Sequence, residues 1–151
     1  MNNPKVIPGV HLIFRKKSCR SNENEYLLHQ RQNTKYFDSY FSVPGGHIDG
    51  FETPIECAIR EAMEELAVEV KPENLRLVNT IYRVKKDVNE IRIDFCYLIR
   101  EYSGEIIAAE PEKHSQPKWY LISELPNQMV PYIQKAIIDI ENGRHFTKSE
   151  V

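Results

Sequence analysis

Residues 46–68 read GHIDGFETPIECAIREAMEELAV, which places an Arg-Glu pair, Arg60-Glu61, two residues ahead of a Glu-Glu pair, Glu64-Glu65. On a helix, three carboxylates at i, i+3 and i+4 repel one another by several tenths of a kcal/mol, a penalty that a cation between them reverses. An all-oxygen donor set of this kind suits Mg²⁺ or Mn²⁺, so the pattern points to metal-dependent phosphate chemistry. Gly45-Gly46 precede it, in a predicted turn after the strand-like Tyr40-Phe41-Ser42-Val43. Lacking Cβ atoms, they let backbone come close to a ligand, and the Gly46 carbonyl can reach the same metal. Arg60 lies one helical turn from Glu56 and Glu64, where it can hold a carboxylate in place by an ion pair without touching substrate.

A helix must carry these groups, and its start is written locally. Thr53 is a good N-cap, Pro54 suits the first helical position and Glu56 completes a Thr-x-x-Glu capping box. The spacing predicts a helix from Pro54 to about Leu66. At about 100° per residue, Glu61, Glu64 and Glu65 fall on one side, while Ile55, Ile59, Ala62 and Leu66 share the other. One side is expected to pack and the other to present carboxylates. A charged run on its own reads as a solvated helix face; the coincidence of capping box, Gly-Gly turn and fixed spacing favours chemistry.

These residues resemble the signature of the Nudix hydrolase family, G-x5-E-x7-R-E-U-x-E-E-x-G-U with U aliphatic. Gly46, Glu52, Arg60, Glu61, Glu64 and Glu65 match it, Ala62 is a small residue at a U position, and Ala67 stands where the pattern has glycine. Should that position need a left-handed backbone, alanine would be strained by about 1 kcal/mol. The resemblance runs from about Val6 to Gly143 and looks most like bacterial MutT-type members with a Tyr-x-Asp segment before the box and Glu-Pro-Glu-Lys before a tryptophan. It implies an α/β (α+β) fold, an α/β/α sandwich in which a mixed β-sheet lies between helices and the box forms a loop-helix-loop. It also implies hydrolysis of a diphosphate linked to another moiety, with divalent cations. The catalytic set would be Glu61, Glu64, Glu65, Arg60 and Glu52, the last two as positioning residues. Metal ligands would be Gly46, Glu61, Glu64 and Glu65, joined by one acidic residue from outside the box.

At 151 residues the chain fits one domain, expected over residues 4–146. The net charge of -2, with acidic and basic residues interspersed, provides no basic stripe for long nucleic acid. Cys19, Cys57 and Cys96 are odd in number and lack metal-ligand spacing, as expected of reduced thiols in a cytoplasmic protein. No signal core and no apolar run of 18 residues is evident, so neither export nor membrane association is expected. Strands are predicted at Val6 to Phe14, Glu25 to Gln30, Leu75 to Val84 and Lys118 to Ile122, with Ser18 to Asn24 a hairpin loop. Ile91 to Arg100 alternates with the period of a half-buried strand. A last helix starts near Pro131, buries Ile133, Ala136, Ile137 and Ile140, and ends at Gly143.

Outside the box, Glu112, with Glu110 the lesser candidate, lies in a proline-interrupted polar loop and is the expected additional metal ligand. Arg31, with Lys35 near it, can neutralise a pyrophosphate, because a guanidinium matches phosphate oxygens bidentately. Tyr36, Phe37 and Tyr40 form an aromatic cluster before the Gly-Gly pair, able to line a substrate pocket or to make a small core under the loop. Trp119 is a candidate for stacking on a base, against the alternative of a core position. His47 reads as a turn residue, and His11, His29, His114 and His145 form no pattern.

The function expected is Mg²⁺-dependent cleavage, Mn²⁺ substituting, of the P-O-P linkage of a nucleoside triphosphate, canonical or oxidised, to nucleoside monophosphate and pyrophosphate. Glu61 by resemblance, or Glu64 by proximity, would accept the proton of water. The alternatives are a pyrophosphatase of nucleoside diphosphate sugars of the ADP-ribose type and a non-catalytic Nudix-fold nucleotide sensor. A prenyl diphosphate isomerase needs cysteine and histidine positions not found here. The oligomeric state is left open, homodimers being the commonest closed assembly.

Overall fold

The computed structural model describes residues 2–150. Strands β1 (Lys5–Lys17), β2 (Asn24–Gln30), β3 (Phe41–Ser42) and β4 (Gly45–His47) precede helix α1 (Pro54–Leu66). Strands β5 (Arg76–Lys85), β6 (Glu90–Ile99) and β7 (Lys118–Leu121), helix α2 (Pro131–Glu141) and strand β8 (Phe146–Glu150) follow. Among the described residues the eight strands form one mixed sheet whose main path is β3-β2-β1-β6-β5-β8, with β4 on β1 and β7 on β2. β1 runs parallel to β6 and β5 parallel to β8, and the other pairings are antiparallel.

Because side chains alternate across a strand, the central strands feed two cores. Leu12, Phe14, Leu27, Tyr97 and Ile99 pack with Ala58, Ala62 and Leu66 of α1. Ile13, Tyr26, Leu28, Cys96 and Leu98 pack with Ile133, Ala136, Ile137 and Ile140 of α2. β6 is therefore buried on both faces along its second half, not half-buried as its alternation suggested. A helix on each side of a central strand removes the solvated face that the alternating pattern assumes.

Other boundaries differ in instructive ways. β1 extends to Lys17 because the hairpin with β2 pairs Lys17 with Asn24. Gly45-Gly46 are not in a turn. They form β4, pairing with Val10 and His11, and a Cβ on Gly45 would overlap the Val10 carbonyl. β8 was not anticipated. It is tied to α2 by Thr147 Oγ1, which donates to the buried Asp139 Oδ2 at 2.7 Å. α2 ends at Glu141, with Gly143 two residues on at φ +72°.

One edge of β1 is taken by β6 along residues 5–14. The other is shared, β4 taking residues 9–11 and β2 residues 15–17. Both β2 and β4 line the cleft described below, which lies where they diverge from their common neighbour.

At the exit of α1, Ala67 adopts φ 57° and ψ 35°, a left-handed cap whose N–H donates to the carbonyls of Ala62 and Met63. An L-residue carries about 1 kcal/mol of strain there, and glycine is the usual occupant. Ala67→Gly is expected to stabilise the protein by up to about 1 kcal/mol in urea unfolding and Ala67→Val to destabilise it. Equal midpoints would show that the surroundings relieve the strain.

Candidate active site

The capping box is closed in both directions. Thr53 Oγ1 accepts from the Glu56 N–H at 3.2 Å and Glu56 Oε1 from the Thr53 N–H at 3.0 Å. Glu56 is thereby used up, and Arg60 pairs elsewhere. Its Nη2 and Nε donate to the two oxygens of Glu52 at 2.6 and 3.1 Å. Its Nη1 reaches Glu61 at 3.0 Å and Glu64 at 3.1 Å, and Nη2 also donates to the His47 carbonyl. The Arg60 hydrogen bonds, joined by the Asp49 N–H, hold the Glu52 carboxyl down at about 2. One guanidinium thus fixes the loop before the helix and two carboxylates on it.

The carboxylates do not share an outer face. Glu61 is 8% and Glu65 6% exposed, within the packed stripe that includes Cys57, Ala58, Ala62 and Leu66, whereas Ile55 is exposed and the Glu64 side chain is 51% exposed. Room for this comes from glycine: a Cβ on Gly46 would overlap the Glu61 carboxylate. Glu65 Oε2 accepts from the Gly45 N–H at 2.7 Å. Burial, with the Glu61 and Glu110 charges added, pushes the Glu65 carboxyl up to about 8 against the opposing Gly45 hydrogen bond. Burial likewise pushes Glu61 up to about 6, opposed by Arg60 and reinforced by Glu64 and Glu110.

The polar loop after β6 is brought to this corner by unpaired carbonyls at the end of α1, a general need of helix termini. Ile107 N–H donates to the Leu66 carbonyl at 3.2 Å and Ala109 N–H to that of Glu65 at 3.0 Å. A tight turn then closes, in which Lys113 and His114 both donate to the Glu110 carbonyl. Glu110 and His114 therefore join Glu65, with one potential ligand atom from each lying within 4.8 Å of the others. Glu112 is exposed and outside this group, and its carbonyl accepts from Asn33. His114 Nε2 lies 3.6 Å from Glu65 Oε1, and its ring stacks on His29 with centroids 4.0 Å apart. Burial holds both imidazoles below their ordinary pKa.

A cleft of about 420 Å³ opens from this corner across the α2 side of the sheet. Arg31, Tyr36, Gly45, Gly46, His47 and Glu65 line it. Tyr40 and Trp119 do not. Tyr40 packs with Phe37 against the α2 core, and Trp119 is half-buried against the α1 core with Lys16 Nζ 4.3 Å above its ring. The cleft also gathers residues that sequence reasoning passed over: His11, Arg83, Lys85, Arg92, Asp94 and Tyr132. The only signal for Arg83, Lys85, Arg92 and Asp94 was a polar side chain at every second position of two adjacent strands, and His11 on β1 and Tyr132 on α2 gave none.

Buried carboxylates that raise one another's pKa beside an imidazole held neutral fit a divalent cation, whose charge would relieve the crowding. The family profile described as NUDIX domain matches residues 18–139. The chain belongs to the Nudix family. It is a Nudix hydrolase, of a group that acts on diphosphate bonds, generally with divalent metals. The fold agrees. The MutT Nudix hydrolase of Burkholderia pseudomallei superposes with a TM-score of 0.75 at 20% identity, covering 92% of this chain and 98% of its own. The MutT protein of Methanosarcina mazei Go1 gives 0.74 at 14% identity, covering 94% and 97%. A mutator MutT protein of Bacillus halodurans gives 0.70 at 20%, covering 95% and 89%. Among the described residues no helix is long and apolar enough to cross a membrane.

The raised Glu65 carboxyl has a consequence for stability. Its folded pKa of about 8 lies above the ordinary 4.5, so between these values the folded chain holds a proton that the unfolded chain has released. Stability from this group therefore falls as pH rises towards about 8. Metal-free protein is expected to lose melting temperature from pH 6.5 to 8, Glu65→Gln to remove most of that slope, and added Mg²⁺ to raise the melting temperature more at pH 8 than at 6.5. A metal increment independent of pH would take Glu65 out of the metal site.

Proposed function

We propose that this Nudix hydrolase cleaves the P-O-P linkage of a nucleoside triphosphate to nucleoside monophosphate and pyrophosphate, with Mg²⁺ held by Glu61, Glu64, Glu65 and the Gly46 carbonyl. The observation that carries the reading is the juxtaposition of a crowded carboxylate corner with a cleft walled by Arg31, Lys85 and Arg92. Glu110 is the better candidate than Glu112 for the acidic residue recruited from outside the box, because only Glu110 shares the corner with Glu65.

A bound divalent cation would supply Lewis-acid chemistry, neutralising phosphoryl oxygens and lowering the pKa of an attacking water. The chain's own residues do the rest. Arg31, at the end of the cleft nearest His114 through their β-bridge, presents a guanidinium to the diphosphate. Glu61, folded inward against Gly46, is better placed to accept the water's proton than Glu64, which is half exposed, although Arg60 Nη1 pairs with both. Glu52 and Arg60 keep the array rigid, so that no carboxylate must reorganise as charge moves to the leaving phosphate. Both helices pack on one sheet, which supports reading residues 4–146, with the remainder of β8, as one domain.

The test is phosphate release across nucleoside triphosphates and nucleoside diphosphate sugars with Mg²⁺, run once with added pyrophosphatase and once with added phosphatase. Pyrophosphatase-dependent release from a triphosphate is expected, with turnover reduced by about 10²-fold or more in folded Glu65→Gln. Release only from sugar nucleotides, dependent on phosphatase, would move the enzyme to that class, and silence across the panel would favour a sensor. In a parallel titration, Glu110→Gln is expected to raise the Mg²⁺ concentration for half-maximal activity and Glu112→Gln to leave it unchanged. The reverse order would restore Glu112 as ligand.

A further inference from the structure

The floor of the cleft holds a buried ion pair. Arg83 on β5 and Asp94 on β6 have side chains only 7% and 5% exposed, and Arg83 Nε donates to Asp94 Oδ2 at 2.9 Å. The register explains the meeting. Asp94 pairs with Ile81 and Arg92 with Arg83, so Arg83 and Asp94 are diagonal neighbours on one face. The Tyr132 ring of α2 packs against the guanidinium, its centroid 3.9 Å from Cζ, and His11 Nε2 stands 3.4 Å from Asp94 Oδ2.

Nε and Oδ2 satisfy each other, but among the described residues no hydrogen-bond partner reaches Arg83 Nη1 or Nη2, or Asp94 Oδ1. Both side chains line the cleft. These atoms are not sealed from solvent, and polar groups of side chains nine-tenths buried that open only to a cleft point to a ligand there. The ligand's charge follows from the pair. Arg83 and Asp94 sum to zero, and the Asp94 carboxylate repels an anion, so this floor suits a neutral hydrogen-bonding group. Phosphates are served by Arg31 and by Lys85 and Arg92, which are half-buried at the cleft wall.

We infer that Arg83 and Asp94 read the base of the substrate on its Watson–Crick edge, and that the base is cytosine. The inference rests on the nucleotide reading above. Two guanidinium donors beside one carboxylate acceptor present donor, donor, acceptor. The complementary edge is acceptor, acceptor, donor, which on the Watson–Crick side of cytosine is O2, N3 and the 4-amino group. Uracil alternates acceptor, donor, acceptor. On that edge guanine has one acceptor and two donors, and adenine offers a single acceptor beside its amino group; guanine's N7 and O6 are two acceptors on its other edge, a mode that tighter GMP binding would reveal. A site built to hydrogen-bond specific groups discriminates strongly against bases that lack them, because its own buried groups are then left unpaired. The partly exposed Tyr36, also in the cleft, supplies an aromatic face for stacking.

Binding separates this inference from turnover. Calorimetric titration of the metal-free full chain with CMP, UMP, GMP and AMP is expected to show CMP binding at least tenfold tighter than the other three. The 5′-monophosphate of 2-pyrimidinone riboside, which keeps O2 and N3 and lacks the 4-amino donor, is expected to lose that advantage, a test that needs no variant. Arg83→Lys, which keeps the charge and loses the fork, is expected to bring CMP to the level of the other nucleotides, with an unchanged circular dichroism spectrum as control. Equal affinities, tighter GMP, or full retention of affinity by the 2-pyrimidinone nucleotide would overturn the assignment. Selective CMP binding without hydrolysis of any triphosphate would leave the base site standing and remove the pyrophosphohydrolase reading.

Discussion

The buried crowding of Glu61 and Glu65, with Glu110 at its edge, is the constraint around which the rest of this molecule is arranged. Carboxylates so placed are costly, and each neighbouring feature offsets part of the cost. Arg60 neutralises Glu61 while anchoring Glu52 and Glu64. The Gly45 N–H is spent on Glu65. Gly46 has no Cβ because the Glu61 carboxylate occupies that space. What remains uncompensated appears as carboxyl pKa values of about 6 and 8, a residual that a bound cation would relieve.

The sheet supplies the second half of the site by failing to close. β1 spends one edge on β6 and divides the other between β4 and β2, and the cleft occupies the divergence. Its floor is the α2 face of the sheet beyond the apolar core. The alternation that gives Ile13, Cys96 and Ile81 to that core continues outward as His11, Asp94 and Arg83. Core and site are successive stretches of the same strand faces, so the polar floor is as firmly placed as the packing beneath it.

Legibility in the sequence followed the range of the interactions. The bounds of α1 were readable to the residue because the Thr53-Glu56 box and Pro54 act within one turn. Which face of α1 packs was not, since helical angles cannot reveal that a glycine strand would make room for carboxylates, and Ile55 ended exposed while Glu61 and Glu65 turned inward. The choice between Glu110 and Glu112, two residues apart, was made by carbonyls of α1 reaching a loop more than 40 residues on. Trp119 and Tyr40, aromatic residues with two plausible fates, went to packing.

By itself the sequence determined the box, the helix that carries it, the alternation of the main strands and the family to which they belong, because these depend on neighbours within a few residues or on a pattern of fixed spacing. Tertiary structure alone decided that His114 meets Glu65, that Arg83 meets Asp94 under Tyr132, and that β8 closes the sheet beside α2. Those meetings join residues on different elements, and their register is set by strand pairing and by which helix covers which face. No local propensity encodes either.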